Sequence, residues 1–348
     1  MVLASPLGRQ MLARFIKWKE GICDASPEYH RLAGSWDGSR RGLLDQVLVS
    51  DWSNVPADVV KSVFRSAVTS ADDWQRTIAE ASERDLIELL AEESGNFGFN
   101  LENEAVWGLT AAAAEELKPV SDALITAAGA RRWWEGTILA DQRFVAWDGC
   151  PPLRGSDLET EVRAAMRELR PGCPDNLQPG FGSEWWSIPS FAERSWTANE
   201  LDSIWSTGLL YFSDAFGPRD DPAVLIANGE IPALWQMTFN ASARVYEVGC
   251  PEDWGSLVDR FPCAVSRTHG YDWSRWGNAP GPWLLPDWEN VMECYDGVHV
   301  SIGGYLLSCG LAIPVRNGYS MLVGWLPGAT LWLRDAAMEV AELRSATR

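Results

Sequence analysis

The first part of the chain has apolar residues at the spacing of amphipathic helices. Between Ala71 and Glu93, a tryptophan, isoleucines and leucines recur at roughly helical intervals, which favours one apolar helical face. An alanine-rich pattern runs from Thr110 to Ala128, and we expect Pro119 to kink or split it, because proline lacks the amide hydrogen that a helix interior needs. We therefore predict a mainly helical N-terminal domain over residues 1–148.

A connecting region over residues 149–182 combines one helix with a loop. Ser156 and Glu159 have the spacing of a capping box, which predicts a helix ending near Leu169. Residues 170–182 hold three prolines and three glycines, and this composition predicts a loop between two parts of the protein.

The polar and apolar pattern of residues 183–348 is mixed. Short runs rich in β-branched and apolar residues predict strands at 244–248, 297–302, 311–315, 320–325 and 330–334. Capping boxes and prolines predict helices at 197–206, 251 onward and 286–294, and a final helix at 335–344. Because the strands and helices do not alternate regularly, we predict an α+β fold, in which a helical N-terminal part precedes a mixed α/β domain with a small, mainly antiparallel sheet.

Tryptophan is unusually abundant and unevenly placed. The chain has 20 tryptophans, 15 of them after Arg131, and five lie between Trp254 and Trp288. Indoles in such number either line a ligand pocket or fill the core. We therefore predict that residues 268–285 form an aromatic loop. This loop is either a mobile lid with glycine hinges or an Ω-loop packed on the core.

The charge balance restricts the classes of partner. With 48 acidic against 29 basic residues, the formal net charge is −19, which disfavours nucleic acid and anionic membranes and leaves a basic protein or peptide partner open. The seven cysteines form no regular pairs, and the segment up to Lys19 lacks the apolar core of a signal peptide. We expect a cytoplasmic protein on these grounds.

The strongest candidate for chemistry is the segment from Tyr295 to Ser301. If residues 297–302 form a strand, His299 and Ser301 share a face with two glycines, which leave open space for a ligand. Histidine is suited to general acid–base catalysis, and Tyr295 and Asp296 adjoin it. The alternative is a structural histidine in a turn that requires glycine. The sequence has no nucleotide-binding glycine motif, no G-x-S-x-G and no zinc-ligand spacing, so no cofactor is clearly implied and no metal is expected.

Further residues are candidates for contact with a substrate. Arg244 and Tyr246 would share one face of the strand at 244–248, and Glu247 would lie on the other face. Arg244 would bind an anionic group of a ligand or form an ion pair with a carboxylate of the protein. The complete predicted substrate-binding set is Arg244, Tyr246, Trp273, Trp276, Trp283, Trp288 and Tyr305.

Two resemblances bear on function. Trp185–Pro189, Val245–Trp254, Tyr295–Ser301 and Gly324–Leu333 resemble segments of a Trp-rich actinobacterial family, over roughly residues 133–333, whose members are mostly without an assigned activity. A fainter resemblance is to ADP-ribosyltransferases, which would place Arg244 and Ser301 on the first two strands of an NAD site. Their third element, a glutamate on a later strand, is not matched, because Glu339 and Glu342 fall in the predicted final helix.

Two functional hypotheses follow from these features. The first is a transferase or lyase of specialised metabolism that acts on a small apolar, aromatic or cationic molecule in a Trp-lined pocket. In this hypothesis His299 is the general acid or base. The second is a non-catalytic binding or immunity-type protein whose acidic surface captures a basic partner.

Overall fold

The computed structural model describes residues 5–16, 57–70, 72–95, 108, 110–146, 149–170, 185–199 and 233–345. The chain divides into two compact units, residues 1–131 and 132–348. The predicted boundary at residue 148 lies later than this division, because the strand at Gln142–Ala146 pairs within the sheet of the second unit. No helix in the described ranges is long and apolar enough to cross a membrane.

The first unit is helical in its described part. Its helices are α1 Pro6–Phe15, α2 Ala57–Ser70, α3 Asp72–Glu80, α4 Glu83–Gly95 and α5 Lys118–Thr126. Helix α1 packs against α3, α4 and α5, and α3 also contacts α5.

Two local signals set the helix ends in this unit. The single helix predicted over Ala71–Glu93 is two helices, because Ser82 caps a new one: its backbone amide donates to Asp85 at 2.9 Å, and the amide of Asp85 donates to the Ser82 hydroxyl at 3.2 Å. Pro119 splits the second pattern as predicted, since it lies in the first turn of α5.

A seven-stranded sheet forms the centre of the second unit. Its strand order is β11-β3-β1-β2-β10-β7-β4, and every neighbouring pair is antiparallel except β4 and β7. The strands are β1 Gln142–Ala146, β2 Trp196–Asn199, β3 Ala233–Phe239, β4 Val245–Val248, β7 Gly297–Val300, β10 Ala329–Trp332 and β11 Ala337–Arg344. The mixed α+β class and the mainly antiparallel pairing are therefore confirmed, although the sheet is larger than predicted.

Helices and two small hairpins surround this sheet. The hairpins pair β5 Pro262–Ala264 with β6 Leu284–Pro286, and β8 Ile313–Val315 with β9 Gly318–Ser320. The helices are α6 Gly155–Leu169, α7 Pro251–Arg260, α8 Ser266–Trp276, α9 Trp288–Cys294 and α10 Ile302–Ser308. Helix α7 packs on β4, β5, β6, β8 and α10, and α6 packs on α9.

Tryptophan side chains fill the core of this unit. Trp254, Trp288 and Trp325 are fully buried, with ring centroids 5.9 to 6.3 Å apart. Their neighbours satisfy the indole donors where a polar atom is within reach: the Nε1 of Trp254 donates to the Ser320 hydroxyl at 2.9 Å. These indoles are packed core residues.

In three places the structure has a different type of element from the one predicted. Residues 196–199 form strand β2 rather than the start of a helix, because all four side chains are buried between neighbouring strands; residues 200–206 lie outside the described part. The predicted terminal helix is strand β11, whose pairing with β3 overrides its helix-favouring composition. The predicted aromatic loop is mostly helix α8, in which His269 and Trp273 bury one face at a spacing of four residues.

Other predictions hold with shifted ends. Helices begin near Pro251 and Pro286 as expected, and the strands at 244–248, 297–302, 311–315 and 330–334 are shorter than predicted. The strand predicted at 320–325 is wrong, because only Ser320 lies in a strand, as the last residue of β9, and residues 321–325 do not form one. Helix α6 lies where the capping box predicted it, but the helix begins at Gly155, without a side-chain cap. Most of the predicted loop, residues 171–182, lies outside the described part.

Candidate functional site

Strand β7 places His299 in the interior of the large sheet. The register sets His299 opposite Glu247 on β4 and opposite Thr330 on β10, so the three side chains form one row on the same face. His299 is 1% exposed. The parallel pairing of β4 with β7 brings Glu247 next to the histidine. The sequence alone had placed Glu247 only on the other face of its strand from Arg244 and Tyr246.

The imidazole of His299 is hydrogen-bonded on one side only. Its Nδ1 lies 3.1 Å from the hydroxyl of Thr330, whereas its Nε2 has no hydrogen-bond partner and lies 3.9 Å from Oε2 of Glu247. Burial lowers the pKa of His299, although the Glu247 carboxylate and the nearby backbone carbonyl of Glu135 act in the opposite direction. The ring is therefore neutral at pH 7.

Residues 134–137, which we call the covering segment, lie against this row. The backbone amide of Thr137 donates to Oε1 of Glu247 at 3.0 Å, and the hydroxyls of Thr137 and Thr330 are 3.1 Å apart. A Cβ atom on Gly136 would lie 3.2 Å from the Glu247 carboxylate, so the backbone runs directly beside that side chain. Four groups, Thr137, Thr330, His299 and Glu247, thus form a closed ring of polar contacts.

A second polar group fixes the covering segment to the sheet. The side-chain oxygen of Asn199 accepts from the amide of Ile138 at 2.8 Å, and its nitrogen donates to the carbonyl of Gly136 at 3.0 Å. Gln142 also contacts Asn199 and accepts a hydrogen bond from Thr197 at 2.7 Å. The segment is therefore held by side chains of strands β1 and β2 as well as by Glu247.

Solvent reaches Glu247 and not His299. The side chain of Glu247 is 47% exposed, and Trp134, the first residue of the covering segment, and Ile138, the residue directly after it, are each 38% exposed. The Trp134 ring packs on the backbone of α10, since a Cβ atom on Gly303 would lie 2.1 Å from it. Glu247 is therefore the member of the row that a molecule arriving from solvent can contact, with the histidine behind it.

The predicted partner Ser301 does not face His299. Strand β7 ends at Val300, so the alternation that would place the two side chains on one face stops before Ser301. The Ser301 hydroxyl instead caps helix α10 by accepting from the amide of Gly304 at 3.0 Å. Tyr305, on the same helix, is buried, and burial raises its pKa well above the ordinary value. Neither residue is available to a ligand in this arrangement.

Tyr295, Asp296, Arg244 and Tyr246 form a separate group at one end of β4. Asp296 accepts from the backbone amide of Arg244 at 2.7 Å, and the rings of Tyr246 and Tyr295 meet edge to face with centroids 5.2 Å apart. The Tyr246 hydroxyl donates to the carbonyl of Asp253 at 2.7 Å, and burial raises its pKa to about 12. Tyr246 lies on the face of the sheet opposite Glu247, so this group is divided from His299.

The predicted aromatic wall is mostly core. Trp273, Trp283 and Trp288 are at most 1% exposed, and only Trp276, at the end of α8, is partly exposed. The ring of Trp276 packs against Trp185, with centroids 6.2 Å apart. The interpretation of these indoles as core residues is favoured for all but Trp276, and the exposed indole beside the histidine row is Trp134, which sequence reasoning did not single out.

The strand order of the sheet does not fit the ADP-ribosyltransferase resemblance. Glu339 and Glu342 do lie on a strand, β11, which removes the first objection to the match. However, β11 and β4 are opposite edges of the seven-stranded sheet, so Arg244, just before β4, is separated from these glutamates by about 29 Å. The three residues do not share one site.

One small cavity lies in the second unit, between the sheet and α6. This cavity has a volume of about 10 Å³, which is room for about one water molecule. It is lined by Phe144, Leu158, Phe239, Trp332 and their neighbours. In the described ranges, no three His, Cys, Asp or Glu side chains converge in a way that could hold a metal ion.

Comparison with known proteins gives no further guide. No family model, no curated protein and no solved structure matches the chain. The resemblance to a Trp-rich actinobacterial family thus stays a prediction, and the function has to be inferred from the site itself.

Proposed function

We propose that the protein is an enzyme of the transferase or lyase type that acts on a small organic cation or aromatic amine at the exposed surface beside Glu247. The observation that carries the proposal is the carboxylate of Glu247, half exposed to solvent and set between the Thr137 amide and the unpartnered Nε2 of buried His299. Buried polar groups are nearly always satisfied, and an exception at a titratable pair is typical of a functional site.

The ring of polar contacts gives each group a role. A neutral His299 has one N–H, and if the Thr330 hydroxyl donates to Nδ1, that N–H is at Nε2, which lies 3.9 Å from Oε2 of Glu247 and near the backbone carbonyl of Glu135. The Glu247 carboxylate then contacts the substrate and accepts its proton, acting as the general base. His299 is a positioning residue in this scheme, because it is too buried to contact the substrate without movement of the covering segment.

The class of substrate follows from what surrounds the carboxylate. Trp134 offers an indole and Ile138 an aliphatic side chain, both partly exposed, close along the backbone to the Gly136 that contacts Glu247. An indole two residues from the glycine that contacts the carboxylate favours an organic cation, which would gain from the ring face as well as from the charge. The net charge of −19 favours the approach of such a molecule.

Binding of benzyltrimethylammonium, measured by calorimetry, tests the binding half of this proposal. We expect Trp134→Ala and Glu247→Gln each to weaken binding roughly three- to tenfold, as loss of one cation contact should. The matched controls are Tyr271→Ala, which removes another exposed aromatic ring, and Glu168→Gln, which removes an exposed carboxylate on α6. Equal affinity in all variants would show that the probe binds elsewhere.

Turnover tests the catalytic half. The protein is incubated with mixtures of small amines and acyl or alkyl donors, and mass spectrometry follows consumption. We expect Glu247→Gln to abolish any conversion and His299→Gln to lower it while the protein stays folded. If the Glu247→Gln variant still converts the substrate, the Glu247 carboxylate is not required for the reaction.

A non-catalytic protein that binds a basic partner is the second candidate. The net charge of −19 favours it. Calorimetry with a lysine-rich peptide at low and at physiological salt tests it, because attraction between exposed charges weakens as salt rises. Binding that does not respond to salt would count against this candidate.

A further inference from the structure

The covering segment lies over a buried nitrogen atom that has no hydrogen-bond partner. This atom is Nε2 of His299, whose side chain is 1% exposed, and the backbone carbonyl of Glu135 lies near the ring. Directly beside the histidine, the side chain of Glu247 is 47% exposed. The covering segment therefore separates an unsatisfied imidazole nitrogen from the solvent that already reaches its neighbour.

The covering segment has no buried side chain to hold it in place. Every side chain at positions 134–138 is at least partly exposed, and residues 135–138 belong to no helix or strand. The fixed points of the chain lie outside the segment, because Trp133 is 1% exposed and strand β1 begins at Gln142. A stretch with few buried apolar groups opens at a lower free energy than the packed elements that it joins.

Four hydrogen bonds to side chains of the sheet connect the segment and the residue after it to the strands. The amide of Thr137 donates to Glu247, and its hydroxyl meets that of Thr330. Asn199 accounts for the other two, since it accepts from the backbone amide on one side of Thr137 and donates to the backbone carbonyl on the other. Breaking these four bonds frees the segment without disturbing the pairing of any two strands.

We propose that the covering segment is a lid, and that its opening lets a molecule bound at Glu247 also contact Nε2 of His299. Opening withdraws the Thr137 amide from the Glu247 carboxylate, so this carboxylate becomes free for the ligand in the same step that exposes the histidine. The open state makes His299 a group that contacts the ligand directly. The identity of the ligand rests on the proposed function, whereas the movement can be measured without a ligand.

Modification by diethyl pyrocarbonate at pH 7, followed at each histidine by mass spectrometry, tests the lid. The reagent attacks a neutral imidazole that it can reach. His269 is the internal control, because it lies in the same unit, is also 1% exposed and has both ring nitrogens bonded. We expect His299 to react at least roughly tenfold faster than His269, since its exposure requires a local opening and not the unfolding of the unit.

Two variants separate opening of the lid from a general loss of stability. Asn199→Ala removes two of the four bonds and should raise the rate at His299 roughly tenfold, with the rate at His269 unchanged. Ser187→Ala is the matched control, because the buried Ser187 hydroxyl also accepts from a backbone amide and donates to a backbone carbonyl, both of Val323. This control should leave the rate at His299 unchanged.

Two results would overturn the proposal. If His299 in the unchanged protein reacts no faster than His269, the histidine is exposed only by unfolding of the whole unit, and the segment is not a lid. If Ser187→Ala raises the rate at His299 as much as Asn199→Ala does, the effect is a general loss of stability. Because neither measurement includes a substrate, the lid can fail while conversion that depends on Glu247 is observed, and the reverse outcome is equally distinguishable.

Discussion

At the scale of single residues, the two histidines that the structure describes differ in how their nitrogens are satisfied. His269 is bonded on both sides, with Nδ1 2.7 Å from the Thr268 hydroxyl and Nε2 3.0 Å from the Trp186 carbonyl. His299 is bonded on one side only. Because a carbonyl only accepts, Nε2 of His269 carries the proton, and His269 is a satisfied core residue.

The folding stability should therefore fall as the solution is acidified. Burial lowers the pKa of His269 to about 4 from 6.5, so an unfolded chain takes up a proton between these values while the folded chain does not. The stabilisation is complete above pH 6.5 and is lost as the pH falls toward 4, by up to about 1.4 kcal/mol per pH unit. Denaturant unfolding of the protein and of His269→Gln over this range measures the difference, and an identical pH dependence in the two would contradict the assignment.

At the scale of elements, local sequence signals were sufficient to predict a helix that has its own start signal. Pro251 predicted a helix that the structure confirms, since α7 begins at it. The helix expected from Pro286 also exists, but it begins at Trp288 with Asp287 as its cap, and Pro286 ends strand β6. Strand β11 could not be predicted in the same way, because its residues favour a helix and its partner β3 lies about a hundred residues earlier in the chain. Helix α8 was missed because its glycine and its aromatic residues read as a loop.

The contact between α10 and Trp134 offers a test at this scale. Gly303→Ala should force the Trp134 ring away, since the added Cβ would lie 2.1 Å from it, and should lower both the free energy of unfolding, by roughly 1–3 kcal/mol, and the affinity for benzyltrimethylammonium. Gly270→Ala in α8 is the control, because its Cβ would meet atoms only at 3.7 Å; it should raise the free energy of unfolding by up to about 1 kcal/mol, since alanine favours a helix interior, and should leave the affinity unchanged. Equal effects of the two substitutions would mean that Trp134 is not held by Gly303.

At the scale of the whole molecule, the candidate site combines residues that are distant in sequence. His299 was predicted from its place in a short strand, but Glu247, Thr330 and Thr137 join it only through sheet registers and a loop contact that no local pattern encodes. The large tryptophan content predicted aromatic packing correctly in kind, yet it pointed to a lined pocket, whereas most of these indoles are core. The net charge of −19 follows from the composition alone, whereas the division into two units after residue 131 does not coincide with the predicted boundary at residue 148.

The most direct test of a functional, rather than structural, His299 is the free energy of unfolding of His299→Leu. An unpaired buried nitrogen costs about 1–3 kcal/mol, and Thr330 keeps Thr137 as a partner after the change. We therefore expect denaturant unfolding to give an unchanged stability, or one about 1 kcal/mol higher. Leu331→Ala, an ordinary core truncation on β10, should lose about 2–5 kcal/mol in the same assay. A loss of more than about 2 kcal/mol in His299→Leu would show that the histidine is retained for stability, and would contradict the account.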